Sequence, residues 1–297
     1  MSIVAISQTL GSLGDEIGRE LARILGWEFA DREIIAQAAQ RFGEGVLELE
    51  HATEEKPSLW DRFTDTKRRY LTYVEAMIFD MAARDNVILS GRGATIFLRK
   101  VRHALRVRIS APERVRAYRV EHQQELTSDA AIHRVRQNDR ERASNVKFLY
   151  HVDWDDPLLY DLVLNTERMD VKEGARLIQN ALQNERAQPT PESRAEVKDL
   201  SLAAQAKAAL LAHPELLSVL PQVDVDPAVV AVALLILEQA QLIRVAPRPA
   251  ARVAAVHRHA LHLDGAHHCA AARTLHESLP PSPVRATHRR TSSPTPS

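Results

Sequence analysis

The sequence predicts an α/β fold, with a mostly parallel sheet between two layers of helices and a small module and disordered tail appended at the C-terminal end. Three observations predict it. Short apolar runs at 3–6, 87–89, 104–109 and 162–164 are separated by long stretches of helical periodicity, which implies crossover connections and parallel neighbours. Eight of the ten glycines fall between Gly11 and Gly93, so loops needing close backbone approach concentrate in the first third. The chain has 297 residues and 45% apolar content, enough to fill at least one core.

The elements follow in order. Residues 3–6 are a β-branched run leading into the loop Ser7-Gln8-Thr9-Leu10-Gly11-Ser12-Leu13-Gly14, after which Ile17, Leu21, Ala22, Ile24 and Leu25 recur at helical spacing until Gly26. This reads as strand, glycine loop, helix. Trp27-Glu28-Phe29-Ala30 reads as a short extended piece. A second helix starts near Asp31, whose carboxylate can cap the amides of Glu33 and Ile34. Residues 42–56 are polar and weakly periodic and read as a helix without clear limits. Leu59, Phe63, Tyr70, Val74, Met77, Ile78 and Met81 mark one or two long helices ending by Asn86. The strand at 87–89 closes on Ser90-Gly91-Arg92-Gly93, and Leu105, Val107 and Ile109 alternate as a further strand. Pro112 suits the first turn of the next helix, Thr127 caps the one after, and Asp170 with Glu173 has capping-box spacing for a helix through Leu182.

Composition shifts divide the chain. Residues 1–186 form the α/β domain, and 187–196, with Pro189 and Pro191 among polar residues, read as a linker. Residues 197–247 form a small module that opens on an alanine-rich helix at 200–211. From 248 to 297 there is no lysine, seven of the thirteen histidines gather, and the chain runs into Pro, Ser, Thr and Arg, so a disordered tail is expected.

Several function classes are excluded at this level. Lys and Arg total 39 and Asp and Glu total 39, so the overall field gives no reason for nucleic-acid binding. The lone Cys269 excludes an internal disulfide framework and points to a reducing compartment, the cytoplasm. The N-terminal run reads as a buried strand and not a signal peptide, and the most apolar later segment, 228–236, is shorter than the roughly 20 residues a membrane crossing needs. The late histidines lack carboxylates to orient them, and no metal ligands are assigned.

A glycine loop between a buried strand and a helix aims successive amides at a concavity that suits a phosphate. Gly11, Ser12, Leu13, Gly14 and Asp15 are its candidates, although an ordinary strand-to-helix turn has the same glycines. A phosphate loop of the usual kind carries a lysine and then a hydroxyl residue. Here Gly14, Asp15 and Glu16 stand at the helix start, with Asp15 able to pair with Arg19 or to meet magnesium. Asp31 and Arg32, at the ligand-bearing edge of the sheet, and Arg92, held between two glycines, are candidates for binding a monophosphate. Arg136 and Arg140 share one face of a densely basic helix that also carries Arg134, Arg142 and Lys147. That helix can cover a polyphosphate or simply meet solvent.

The ordered segments Ile6-Ser7-Gln8-Thr9-Leu10-Gly11-Ser12-Leu13-Gly14-Asp15-Glu16-Ile17, Phe29-Ala30-Asp31-Arg32-Glu33-Ile34-Ile35, Val87-Ile88-Leu89-Ser90-Gly91-Arg92-Gly93 and Asp153-Trp154-Asp155-Asp156-Pro157 through Asn165-Thr166 resemble the cytidylate kinase-like family of P-loop proteins. The resemblance implies a three-layer P-loop kinase-like core of the nucleoside monophosphate kinase type. It implies an ATP site at residues 11–15, Mg²⁺ as cofactor, CMP or dCMP as acceptor at Asp31, Arg32 and Arg92, and a lid carrying the catalytic Arg136 and Arg140, with Arg142 as a further lid candidate. The chain departs from the pattern where Gly14 takes the lysine position and Leu13 a usual glycine. A non-catalytic, regulatory or scaffold role is the alternative. Residues from 197 to about 232 are similar to a BON domain, which implies a protein or lipid partner for that module.

Overall fold

The computed structural model describes residues 2–31, 33–42, 60–185 and 188–212. The described residues all belong to one unit, Met1–Pro221, and the second unit, Gln222–Ser297, lies outside them, as do the expected BON-like module beyond 212 and the tail.

Five strands, β1 (Ile3–Gln8), β2 (Glu28–Ala30), β3 (Val87–Ser90), β4 (Ala104–Ser110) and β5 (Leu162–Asn165), lie in the order β2-β3-β1-β4-β5, every pair parallel. Their carboxyl ends therefore share one edge, where open α/β sheets hold ligands. The central strand β1 pairs Ile6 with Ser90 on one side and Ser7 with Arg108 on the other. Strand side chains alternate between faces, and the two faces have separate cores. Ile3, Ala5, Val87 and Leu89 face α2 (Glu33–Phe42) and α3 (Trp60–Ala82), while Val4, Ile6, Ile88, Leu105, Val107 and Ile109 face α1 (Gly14–Leu25) and α7 (Val171–Ala181). The layers are those expected, because fully buried parallel strands read as continuous apolar runs.

A short helix, α4 (Ala94–Phe97), follows β3. Between β4 and β5, α5 (Glu113–Gln124) and α6 (Ser128–Tyr150) form a helical hairpin with its own small core of Ala117, Val120, Ala131 and Val135. The local signals stand where the sequence placed them. Thr127 accepts from the Ala130 N–H, and Asp170 and Glu173 complete a reciprocal capping box. Pro112 sits one residue earlier than expected, at the N-cap of α5.

The chain after the α/β domain departs from the expected division. The segment 187–196 is helical from Pro191, with Thr190 and Ser193 bonded to each other across its first turn. This helix, α8 (Pro191–Leu211), belongs to the same unit as the sheet. The physical reason is its apolar stripe of Val197, Ala204, Ala208 and Leu211, which completes the core over α3. Gln205 fixes the packing by donating to Asp80 at 2.8 Å and accepting from Arg41 at 2.9 Å.

The N-terminal edge of the sheet carries a buried polar node. His103 is buried with Nε2 3.6 Å from Asp85 Oδ1, Arg194 of α8 donates to Asp85 Oδ2 at 3.0 Å, and His103 Nδ1 has no partner. Burial lowers the His103 pKa below its ordinary 6.5; Asp85 opposes this and Arg194 reinforces it. The folded state therefore takes up a proton on His103 less readily than the unfolded chain, which does so as pH falls through about 6.5. Stability is expected to decline as pH falls below that value. Urea midpoints measured between about pH 7.5 and 5 should fall, and His103→Gln should flatten the dependence.

Candidate functional site

The loop after β1 turns through Gly11 (φ +77°) and Leu13 (φ +65°) before α1 begins. Leu13 is left-handed without being glycine, at a cost of about 1–2 kcal/mol, which is why glycine is usual there. A Cβ on Gly11 would lie 2.7 Å from the Arg116 carbonyl oxygen. No side chain caps α1, and the N–H groups of Gly14, Asp15 and Glu16 meet no acceptor among the described residues. The Ser12 hydroxyl is buried without a partner. Free amides at a helix N-terminus attract an anion through their own hydrogen bonds and through the helix dipole.

The two acids at the helix start do not fill this position. Asp15 Oδ1 accepts from Gln8 Nε2 at 2.5 Å and from the Ser90 hydroxyl at 3.2 Å, so the carboxylate is tied to the ends of β1 and β3. The alternative pairing with Arg19 does not form, because the Arg19 guanidinium lies over the Phe29 ring, 4.6 Å from its centroid. Gln8 has a second effect. A Cβ added at Gly14 would clash with Gln8 Oε1 and lie 2.7 Å from its Cβ and 2.8 Å from its Cδ. The glutamine thus occupies the space a longer side chain at position 14 would cross.

A cation reaches the loop from elsewhere. Arg142 of α6 donates from Nη1 to the Gln8 carbonyl at 3.0 Å. The residue is exposed overall, but its guanidinium is held against the loop, and the water it loses there lowers its pKa. The Arg92 charge pushes the same way, and Asp15, Asp31 and Asp139 oppose. Arg142, Arg92, Asp15 and Asp31 therefore share one local field at the carboxyl edge of β1, β2 and β3. Asp139 is already held bidentately by Arg116 at 2.9 and 2.7 Å.

Arg92 (φ +53°) sits between Gly91 (φ +73°) and Gly93 (φ +75°), three consecutive left-handed residues. Its Nε is buried without a partner, and a Cβ added at Gly91 would lie 3.7 Å from Asp31 Oδ1. Arg32 lies outside the described residues. Arg136 and Arg140 make no hydrogen bond or ion pair to the described residues of the loop. Arg136 is held bidentately by Glu113 at 2.9 and 2.8 Å, and Arg140 Nε donates to the Arg136 carbonyl. Both line an open hollow of about 640 Å³ with Glu113, Asp129, His133 and Asp139.

Sequence reasoning missed four residues that hold the site. Arg116 also donates to the Ala111 carbonyl at 2.8 Å and anchors the start of α5, while Arg119 bridges the Gly11 carbonyl and Thr166. Their i,i+3 spacing directly after a strand was the available signal. Arg108 is buried over Trp154, 3.7 Å from the ring centroid, and donates to Ser7 at 3.0 Å and to Asp155 at 3.0 Å. A charged residue in the interior of a buried strand marks such a pairing. Gln8 carried no distinguishing signal. The chain turns at Asp153, whose carbonyl accepts from the Asp156 N–H, and the buried Trp154 donates its indole N–H to Ser7 at 2.9 Å.

Among the described residues no helix is long and apolar enough to cross a membrane, and no group of three or more His, Cys, Asp or Glu gathers to hold a metal.

The chain is similar to proteins named cytidylate kinase. It is 30% identical to that of Methanocaldococcus jannaschii over 107 residues, covering 35% of this chain and 60% of the relative. It is 25% identical to that of Pyrobaculum calidifontis over 178 residues, covering 60% and 90%. With that of Natronomonas pharaonis it shares 28% over 202 residues, covering 67% and 98%. The family model described as the Cytidylate kinase-like family matches residues 3–168, a span that runs from β1 through the glycine loop, Arg92 and Arg142 to the end of β5. That span is more than half of the chain, and the chain belongs to the Cytidylate kinase-like family.

Proposed function

We propose that this protein binds ATP over the glycine loop and CMP or dCMP beside Arg92, and transfers the γ-phosphoryl group between them. The observation that carries the reading is the pairing of free α1 amides with an arginine brought from α6 to the same loop. An oxygen of the acceptor monophosphate attacks Pγ, the bond from Pγ to the bridging oxygen breaks, and ADP leaves with the electron pair. Such a transfer needs positioning and charge stabilisation and no covalent nucleophile. The amides of Gly14, Asp15 and Glu16, with Gly11, Ser12 and Leu13 shaping the loop, cradle the donor phosphates. Arg142 supplies the charge that a loop lysine would. Asp31, Arg32 and Arg92 receive the acceptor, and the α5–α6 hairpin carries Arg136 and Arg140 as a lid that acts once Arg136 leaves Glu113.

Asp15 suits Mg²⁺ because its carboxylate is a hard oxygen donor at the loop and its bonded partners, Gln8 and Ser90, are neutral. When bound, the ion supplies charge neutralisation between the phosphates.

A second reading, a regulatory protein that binds nucleotide without turnover, is favoured by Gly14 and by the Gln8 side chain that fills the space beside it. A coupled assay for ADP, run with ATP, Mg²⁺ and CMP, dCMP, UMP or AMP in turn, separates the two. Turnover of roughly 1 per second or more with the cytidylates supports transfer. Binding of both nucleotides without ADP release supports the second reading.

A further inference from the structure

The sequence around Arg92 requires three residues in succession to take a backbone conformation that favours glycine, although the central one is arginine. Something must hold it there. The Tyr150 hydroxyl, at the last residue of α6, donates to the Arg92 carbonyl at 3.2 Å. Tyr70 of α3 lies beside both, its hydroxyl near the Tyr150 hydroxyl and near the Arg92 side chain. The Tyr150 phenol thus holds Arg92 by its backbone, with the Tyr70 phenol beside its side chain. Tyr70 is fully buried, and the Tyr150 ring is set edge-on against Phe97 at 5.6 Å between centroids.

Gly93 shows how closely this grip is built. A Cβ there would lie 2.5 Å from both Cζ and the hydroxyl oxygen of Tyr150, so the second glycine of Gly91-Arg92-Gly93 leaves room for the tyrosine. Arg92 Nε, meanwhile, stays buried without an acceptor. A guanidinium set beside neutral phenols keeps its charge and its donors for an anion. Burial raises the pKa of both phenols, so they remain protonated hydrogen-bond donors.

We infer that Tyr150, assisted by Tyr70, is a positioning residue of the acceptor site. Its hydroxyl fixes the strained Arg92 turn so that the guanidinium meets the phosphate of a nucleoside monophosphate. The inference rests on the acceptor site proposed above. Tyr150 lies eight residues after Arg142 on the same helix, about 12 Å along its axis, so α6 braces the donor loop with one residue and the acceptor loop with another.

The test uses the full chain with Tyr150→Phe, which removes one oxygen, and calorimetric titration with CMP and, separately, with ATP and Mg²⁺. CMP affinity is expected to fall about tenfold, the upper size of one lost neutral hydrogen bond. ATP affinity and the thermal midpoint should stay unchanged, and KM for CMP should rise with kcat nearly constant. A loss of packing alone would lower the midpoint and weaken both ligands. Should Tyr150→Phe fail to fold, Tyr70→Phe carries the same expectation. Unchanged CMP affinity in a folded variant overturns the positioning role. Failure of the unmodified protein to bind CMP instead overturns the acceptor site on which it rests.

Discussion

Replacing Arg142 by alanine is expected to lower kcat/KM for phosphoryl transfer roughly 100-fold or more, the loss typical when a positioned cation or donor is removed from a developing charge. The loop has no lysine of its own; Arg116 and Arg119 reach its carbonyls but are also held by Asp139 and Thr166, whereas Arg142 donates from α6 to the Gln8 carbonyl. ATP affinity should weaken in the same variant, because the donor phosphates would then face Asp15 and Glu16 across the helix mouth with less compensation. The fold should be indifferent, since Arg142 lies on the exposed part of α6 and takes no part in the α5–α6 core. Arg142→Lys is expected to recover only part of the rate, because an ammonium group cannot donate to the Gln8 carbonyl and to a phosphate in the fixed fork geometry of guanidinium. Steady-state kinetics with a thermal melt for each variant checks the separation of activity from stability.

Restoring the missing lysine should fail. Gly14→Lys places a Cβ against Gln8, and the nearest contacts include that residue's own Cβ, which cannot swing away. Overpacking of this kind costs about 1–3 kcal/mol, or about 2–4 °C of thermal midpoint per kcal/mol in a domain of this size. The variant is expected to be less stable and to gain no ATP affinity. Combining Gly14→Lys with Gln8→Gly removes the obstructing side chain and should recover both stability and binding, a non-additivity that marks direct contact. Melts and ATP titrations of the two single variants and the double variant complete the cycle. Equal effects of Gly14→Lys with and without Gln8→Gly would contradict the assignment of Gln8 as the obstruction.

Much of the fold was legible because the strong signals were local. Buried parallel strands are uniform apolar runs, and 3–6, 87–89 and 104–109 could be read without knowing their partners. Thr127 and the Asp170–Glu173 pair announced helix starts through a few adjacent atoms. The extent of the domain was harder to read. Pro189 and Pro191 suggested a linker, but proline also suits the first turn of a helix, and the stripe that docks α8 on α3 spans four turns with alanine at two of its four positions.

The site divided along the same line. Residues that act through their own backbone, from Gly11 to Asp15 and at Gly91 to Gly93, were visible as glycine punctuation. Those that act through distant partners were not. Nothing in the spacing of 8, 15 and 90 indicates that Gln8, Asp15 and Ser90 share hydrogen bonds. The basic run on α6 was visible, yet selecting among its arginines required knowing that Arg136 faces Glu113 while Arg142 faces the loop. Helical phase places 136 and 140 together, but the packing of α5 decides which face meets the sheet.

Calorimetric titration of the intact chain with ATP in the presence of Mg²⁺ tests the phosphate loop most directly. Saturable one-to-one binding, weakened by Arg142→Ala, is the predicted result. Well-folded protein that gives no heat with ATP would contradict the account.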